Sequence, residues 1–186
     1  MSKYLIIFFF VFVFTTAVNA SGKDKIIQNL NKIENISFNF KQTISEKLES
    51  GICTIKYPKK IYCEYNGFNK KIIVSDGKQL VIKDRVNSKA FYLYPLAKTP
   101  LEYLLDKKYL ISKIQNLEMK IINNKYENFK IIENNNKINI FFDNKTFNLI
   151  GWQTEDIYKN LSITQISPIA INNKLNDKIF IIPQRD

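Results

Sequence analysis

Histidine does not occur once in this 186-residue chain. Its absence removes the imidazole that works as general acid and base near neutral pH, the Ser-His-Asp and Cys-His arrangements, and the commonest zinc and copper ligand. Glycine is scarce, at five residues, and neither a glycine-rich phosphate loop nor a Gly-x-Ser-x-Gly turn is found. Carboxylates pair only as Asp76 and Asp84, which flank an expected hairpin, and as the adjacent Glu155-Asp156. Neighbours on a strand point to opposite faces, and acids in turns ordinarily bind the turn's own backbone. These therefore read as solvated turn residues. Two cysteines are too few for a metal site, so neither enzymatic chemistry nor a cofactor is expected.

What is present begins with a targeting pattern. Met1-Ser2-Lys3 supplies a short cationic start, Tyr4 through Val18 is an apolar block, and Val18-Asn19-Ala20 fits the small-x-small rule for cleavage. The block is shorter than the ~20 apolar residues of a spanning helix. A secretory signal over 1–20 and a domain over 21–186 are expected. Ser21, not Cys, follows the expected cut, so no lipid-modified start is foreseen. The formal net charge is +11, but the lysines are dispersed among Asn, Ile and Tyr, and secretion argues against a nucleic-acid partner. The charge reads first as a solvated surface and second as attraction to anionic headgroups.

Periodicity sets the fold class. Ile26, Ile27, Leu30 and Ile33 recur at helical spacing over Gly22–Asn35. From Ile36 the period becomes two, with Ile36, Phe38 and Phe40 alternating with polar residues. Strands are predicted at Ile52–Tyr57, Ile61–Tyr65, Lys71–Ser75, Gln79–Lys83, Ala90–Tyr94, Glu118–Asn123, Phe129–Glu133, Lys137–Phe142, Phe147–Gln153, Leu161–Ile166 and Lys178–Ile182, with turn residues in most gaps. Ala90–Tyr94 and Lys178–Ile182 are apolar on both faces, which predicts cover on both sides. A second helix is predicted where Thr99 can cap, Pro100 opens the first turn, and Leu101, Leu104 and Leu105 share a face. The expected fold is mainly β: a single curved antiparallel sheet, an incomplete, half-open β-barrel, covered by two short helices.

A sheet of so many strands must curl or be covered. With two short helices as its lid, a hollow walled by Ile, Phe, Tyr and Leu is one outcome and a dry core is the other. Each methylene sheltered in such a hollow gains ~0.8 kcal/mol.

Several motifs, in order, resemble the LolA family of periplasmic lipoprotein carriers. They are Ile36-x-x-x-Phe40-x-Gln42, the segment from Gly51 through Pro58 to Ile61-Tyr62-Cys63-Glu64-Tyr65, the hairpin Val74-Ser75-Asp76-Gly77, the helix start Thr99-Pro100-Leu101, and Ile150-Gly151-Trp152. The resemblance implies a carrier that takes acylated lipoproteins from an inner-membrane LolCDE-type ABC transporter and delivers them to the outer membrane, directly or through a LolB-type receptor. It implies a monomer that touches membranes transiently. A sensing or scaffold module of similar fold is the alternative. By position, the lid contacts fall on Leu30, Leu101, Leu104 and Leu105, and the acyl-chain wall on Phe40, Ile55, Ile61, Cys63 and Tyr65.

Two departures stand out. Relatives carry Arg before the hairpin proline, where it latches the lid; here Tyr57 precedes Pro58, with one hydroxyl donor in place of five N–H groups. The other is the pair Cys53 and Cys63. If the strands flanking Pro58 form a hairpin, the two lie opposite each other on one face, where an oxidising compartment allows a disulfide. Two free thiols are the other reading.

Overall fold

The computed structural model describes residues 21–68, 70–87, 90–155 and 159–185. The signal segment read at 1–20 lies outside them. Ser21 opens helix α1 (Gly22–Lys32) with a reciprocal cap: its hydroxyl accepts the Asp24 N–H, and its own N–H donates to the Asp24 carboxylate at 3.1 Å. The helix stops short of the expected Asn35, because Ile33 already has extended geometry and the first strand starts at Asn35.

Among the described residues, eleven strands form one antiparallel sheet. A first meander comprises β1 (Asn35–Ile44), β2 (Lys47–Lys56), β3 (Lys60–Asn66), β4 (Ile72–Asp76), β5 (Gln79–Lys83) and β6 (Phe91–Pro95). A second comprises β7 (Lys120–Ile122), β8 (Tyr126–Glu133), β9 (Asn136–Asp143), β10 (Leu149–Glu155) and β11 (Leu161–Ile171). They meet where β1 pairs with β11, with Phe40 opposite Ile166 and Gln42 opposite Thr164. β6 and β7 remain as free edges, so the sheet is not closed into a barrel. Two hairpins turn where the sequence foretold, with positive φ at Asn123-Asn124 and at Asn134-Asn135; Ser45-Glu46, a turn the sequence did not announce, does the same. That geometry matches the right-handed twist of the flanking strands.

The link from β6 to β7 joins opposite edges of the sheet and therefore crosses its inner face. It contains a single 3-10 turn at Leu96–Lys98, then α2 (Leu101–Leu105) and α3 (Lys107–Asn116). α3 corrects the expectation of two helices. Asp106 caps it by accepting the Tyr109 N–H at 3.0 Å, and Leu110 and Ile114 are buried one turn apart. α1 and α3 lie against each other and cap each other's ends: Lys23 Nζ donates to the Leu117 carbonyl at 2.8 Å, and Lys107 Nζ donates to the Ile33 carbonyl at 2.8 Å. Each lysine thus satisfies a carbonyl that the partner helix cannot.

Four further expectations are corrected. Thr99 does not cap α2; its hydroxyl turns back to the Leu96 carbonyl at 2.8 Å, and Pro100 occupies the cap position. Lys178–Ile182 is no strand, because Asn176 caps a 3-10 turn at Asp177–Phe180 that buries Phe180. Phe147 has φ of 57° and belongs to a turn held by Asp143, so β10 begins only at Leu149. β6 is not covered on both sides either: as an edge strand it leaves Tyr92 and Leu93 about half exposed.

Candidate functional site

Two-residue alternation assigns Phe38, Phe40 and Gln42 of β1, Cys53 and Ile55 of β2, and Ile61, Cys63 and Tyr65 of β3 to the inner face. The sheet curls far enough that Tyr92 and Tyr94 from its β6 edge and Thr154 and Glu155 from β10 line one cavity of about 470 Å³. That is within the ~300–1,000 Å³ range of ligand sites. Phe40, Ile61, Cys63 and Tyr65 line it, as do Leu101, Ile73, Leu80 and Trp152.

One glycine shapes this wall. A Cβ on Gly51 would stand 2.8 Å from the Phe40 ring and still closer to the Glu64 carbonyl. The bare backbone lets the Phe40 and Tyr65 rings reach across β2 and meet edge to face, centroids 4.7 Å apart. Beside them Cys53 and Cys63 pair directly across β2 and β3 and form a disulfide, Cα atoms 4.0 Å apart. Because both sulfurs belong to wall residues, the bridge is part of the cavity surface.

Toward β10 and β11 the wall changes character. Gln42 Nε2 donates to Ser162 Oγ at 3.2 Å and to Thr164 Oγ1 at 3.0 Å, while Gln42 Oε1 accepts from the Tyr65 hydroxyl at 3.1 Å. Lys71 lies 3.8 Å from the centre of the Tyr65 ring and donates to Glu49 at 2.6 Å. Burial alone pushes the Glu49 carboxyl up, but the hydrogen bonds and charges of Lys71 and Lys47 outweigh it and hold it below the usual range. Burial pushes the Tyr65 phenol up, and the Glu49 charge adds to that. Tyr65 is therefore a neutral hydrogen-bond donor at any physiological pH.

The rest of the inner face is filled. Leu30 of α1, Leu104 and Leu105 of α2 and Leu110 of α3 pack with Ile55, Ile140, Phe142 and Trp152 around a residual void of about 10 Å³. Of the four residues assigned to the lid, Leu30, Leu104 and Leu105 are core side chains here, and Leu101 alone, half-buried, reaches both this void and the open cavity. Ile55, assigned to the acyl-chain wall, sits in the filled region instead, because α2 and α3 cover its end of β2.

Tyr57 also lies in the filled region, against Leu101 and Leu104, across a cis peptide bond from Pro58. Burial pushes its phenol up to about 12. The ties from this turn to α2 are made two residues further on. Lys59, held at φ of 66° in the β2–β3 turn, donates its N–H to the Leu105 carbonyl at 2.8 Å and its ammonium to Glu102 and, at 3.4 Å, to Asp106. The Glu102 hydrogen bond raises the Lys59 pKa against the opposing pull of burial. One turn residue thus caps α2 and pairs with acids at its start and just beyond its end. Tyr103 and Tyr109 add ties to the β8–β9 hairpin, through Asn134 at 2.9 Å and Glu133 at 2.9 Å. Sequence reasoning missed Lys59, Glu102 and α3. The spacing of Leu110, Ile114 and Leu117 behind Asp106 was the available signal for α3; nothing in the sequence sets Lys59 apart from other lysines.

Asp76 and Asp84 bind the backbone of their own turns, Asp76 accepting from Lys78 and Gln79 and Asp84 from Val86 and Asn87. Asp156 lies outside the described residues. Among the described residues no three His, Cys, Asp or Glu side chains come close enough to hold a metal ion, and no helix is long and apolar enough to cross a membrane.

Among solved structures the chain is similar to a LolA superfamily protein, NE2245, from Nitrosomonas europaea, at 10% identity over 88% of this chain and 99% of that one, with a TM-score of 0.45. It is similar to a DUF1329 family protein from Desulfovibrio piger ATCC 29098 at 7% identity over 86% and 95% of the two chains, TM-score 0.36. With PNGF-II it shares 10% identity over 80% of its own length and 30% of that chain, TM-score 0.38. No curated protein matches it. A family model, outer membrane lipoprotein carrier protein LolA, matches residues 31–183, most of the chain. The curved open sheet and its helical cover thus have a family: this chain belongs to the LolA family of outer membrane lipoprotein carrier proteins.

Proposed function

We propose that the protein is a periplasmic carrier, exported by the signal at 1–20, that shelters the acyl chains of lipoproteins on their way from the inner to the outer membrane. The observation that carries this reading is the apolar-walled cavity of about 470 Å³, left open beside a filled helical core instead of being packed shut. Water-exposed acyl chains gain ~0.8 kcal/mol per sheltered methylene, which gives such a hollow its use. A carrier must also release what it holds. The neighbouring helices offer a means, since movement of α2 and Leu101 would change the space available to a chain without dismantling the sheet. An inner-membrane LolCDE-type transporter is the expected donor and a LolB-type receptor, or the membrane surface itself, the expected acceptor. No catalysis and no cofactor enter this cycle.

Leu101→Glu tests the reading, because Leu101 faces the cavity and is only half-buried, whereas Leu104 is core and its replacement would unfold α2. The variant should keep the native circular dichroism and a cooperative unfolding transition, yet fail to release a triacylated lipoprotein from inner-membrane vesicles. Undiminished release would refute the assignment.

A further inference from the structure

The cavity has an apolar wall on the first meander and a hydrogen-bonded wall where β1 meets β11, and the second is not needed to close the sheet. Valine or leucine at the inward positions of Gln42, Ser162 and Thr164 would pair just as well across the strands. Instead three polar side chains, with Ser162 5% and Thr164 4% exposed, are built into a surface that otherwise suits hydrocarbon.

The direction of the hydrogen bonds shows what this wall offers. Gln42 spends both amide hydrogens on Ser162 and Thr164, and Tyr65 spends its single hydrogen on Gln42. Ser162 and Thr164 are acceptors in these bonds, so each keeps its own hydroxyl hydrogen to donate. A methylene chain has nothing to receive them, and an ester or amide carbonyl does. The charge balance points the same way: Lys71, the sole cation lining the cavity among the described residues, is held by Glu49 at 2.6 Å. No unanswered positive charge awaits an anionic head.

We propose that Ser162 and Thr164, oriented by Gln42, form a subsite for the carbonyl oxygen of a neutral acyl ester or amide. The cavity then recognises the junction between chain and head, and distinguishes acyl from alkyl ligands of equal length. This rests on the acyl-carrier reading, and adds to it a polar contact that fixes how deep the chain sits.

Two amphiphiles that differ by one carbonyl oxygen, monopalmitoylglycerol and hexadecyl glyceryl ether, test it by displacing a fluorescent acyl probe from the purified full-length mature protein. The ester should bind roughly tenfold tighter than the ether, the worth of about one well-made hydrogen bond, and palmitate no tighter than the ester. In the combined variant Gln42→Leu, Ser162→Ala, Thr164→Val the ester preference should fall below about twofold, while the ether, whose binding also reports an intact cavity, still displaces the probe. If that variant loses the ether as well, Thr164→Val alone should still lower the ester preference. Equal ester and ether binding by the native protein, or a preference that survives the substitutions, overturns the subsite and leaves the carrier reading standing. Tighter binding of palmitate overturns the neutral-head assignment. Displacement by neither amphiphile overturns the carrier reading itself, and the subsite with it.

Discussion

The inner face of one sheet is used in two ways. Under α1, α2 and α3 the side chains interlock around a void of about 10 Å³, while a few residues away on the same strands a cavity of about 470 Å³ stays open. Composition does not separate the regions, since Ile61 and Trp152 belong to both. What separates them is how far the β6–β7 link reaches: α2 and α3 fill one end, and no helix among the described residues fills the other. Burial at the filled end supports the fold, and the missing burial at the open end leaves apolar surface available to a guest.

That contrast is broken most severely at Leu105, which is fully buried in the filled end. Leu105→Ala should cost about 2–5 kcal/mol in urea unfolding, whereas Leu101→Ala at the boundary should cost well under half of that, because its neighbours already face open space. Similar losses at both sites would mean that the two ends are packed alike. Replacing both Cys53 and Cys63 with Ser comes next. The bridge closes a loop with a sequence separation of 10, and its loss should lower stability by about 2–3 kcal/mol, most of it through the freer unfolded chain. Ligand capacity measured with a fluorescent acyl probe should fall little, since both replacements leave the wall in register.

Lys59→Met sharpens the boundary. Lys59 and its acids are partly solvated, with Lys59 31% exposed, so the ion pairs contribute about 1 kcal/mol or less. Hydrogen exchange should be a more sensitive readout: amides of α2 should exchange several-fold faster while those of β1 and β11 keep their rates. Exchange that speeds up everywhere would show a general loss of stability and no latch.

The smallest expected effect is at Glu127, whose carboxyl is buried beside Gly22 with one oxygen, Oε2, lacking a hydrogen-bond partner. Burial raises its pKa, against a weaker opposing pull from Lys25. A carboxyl whose folded pKa lies above its unfolded value contributes most when protonated, and that contribution is lost as pH rises from the unfolded pKa through the folded one. Glu127→Gln should therefore gain in unfolding midpoint, relative to native, as pH rises above the ordinary carboxyl range of about 4. A difference that stays constant with pH would show that Glu127 does not titrate on folding.

Alternation made the strands legible, because Phe38 and Phe40 must face one way and Asn39 the other whatever the rest of the chain does. That Cys53 and Cys63 lie opposite each other followed from a hairpin register that is local, whereas the bond between them stayed one of two readings. α3 stayed hidden among lysines, since Leu110 and Ile114 form a narrow stripe and their cover, α1, comes from far away in sequence. The edge position of β6 could not be read from its aromatic residues, which look the same whether a face is covered or bare. Nor could the cavity be read, since periodicity tells which side chains point inward but not whether anything meets them there. Lysine hid most: Lys23, Lys59, Lys71 and Lys107 all read as solvated charge, and each turned out to hold a particular carbonyl or carboxylate.

The pairing of β1 with β11 has a consequence in time. Each meander can pair its strands in the order in which the chain is made, one hairpin after another, with only short loops to close. The seam between them joins Phe40 to Ile166 and Gln42 to Thr164, so it must wait until nearly all of the chain is present, and contacts of such range slow the final assembly of a sheet. The hollow is built across that seam. Until the last strand arrives there are two half-sheets with exposed apolar faces and no container, and the ability to hold a guest appears in a single late step.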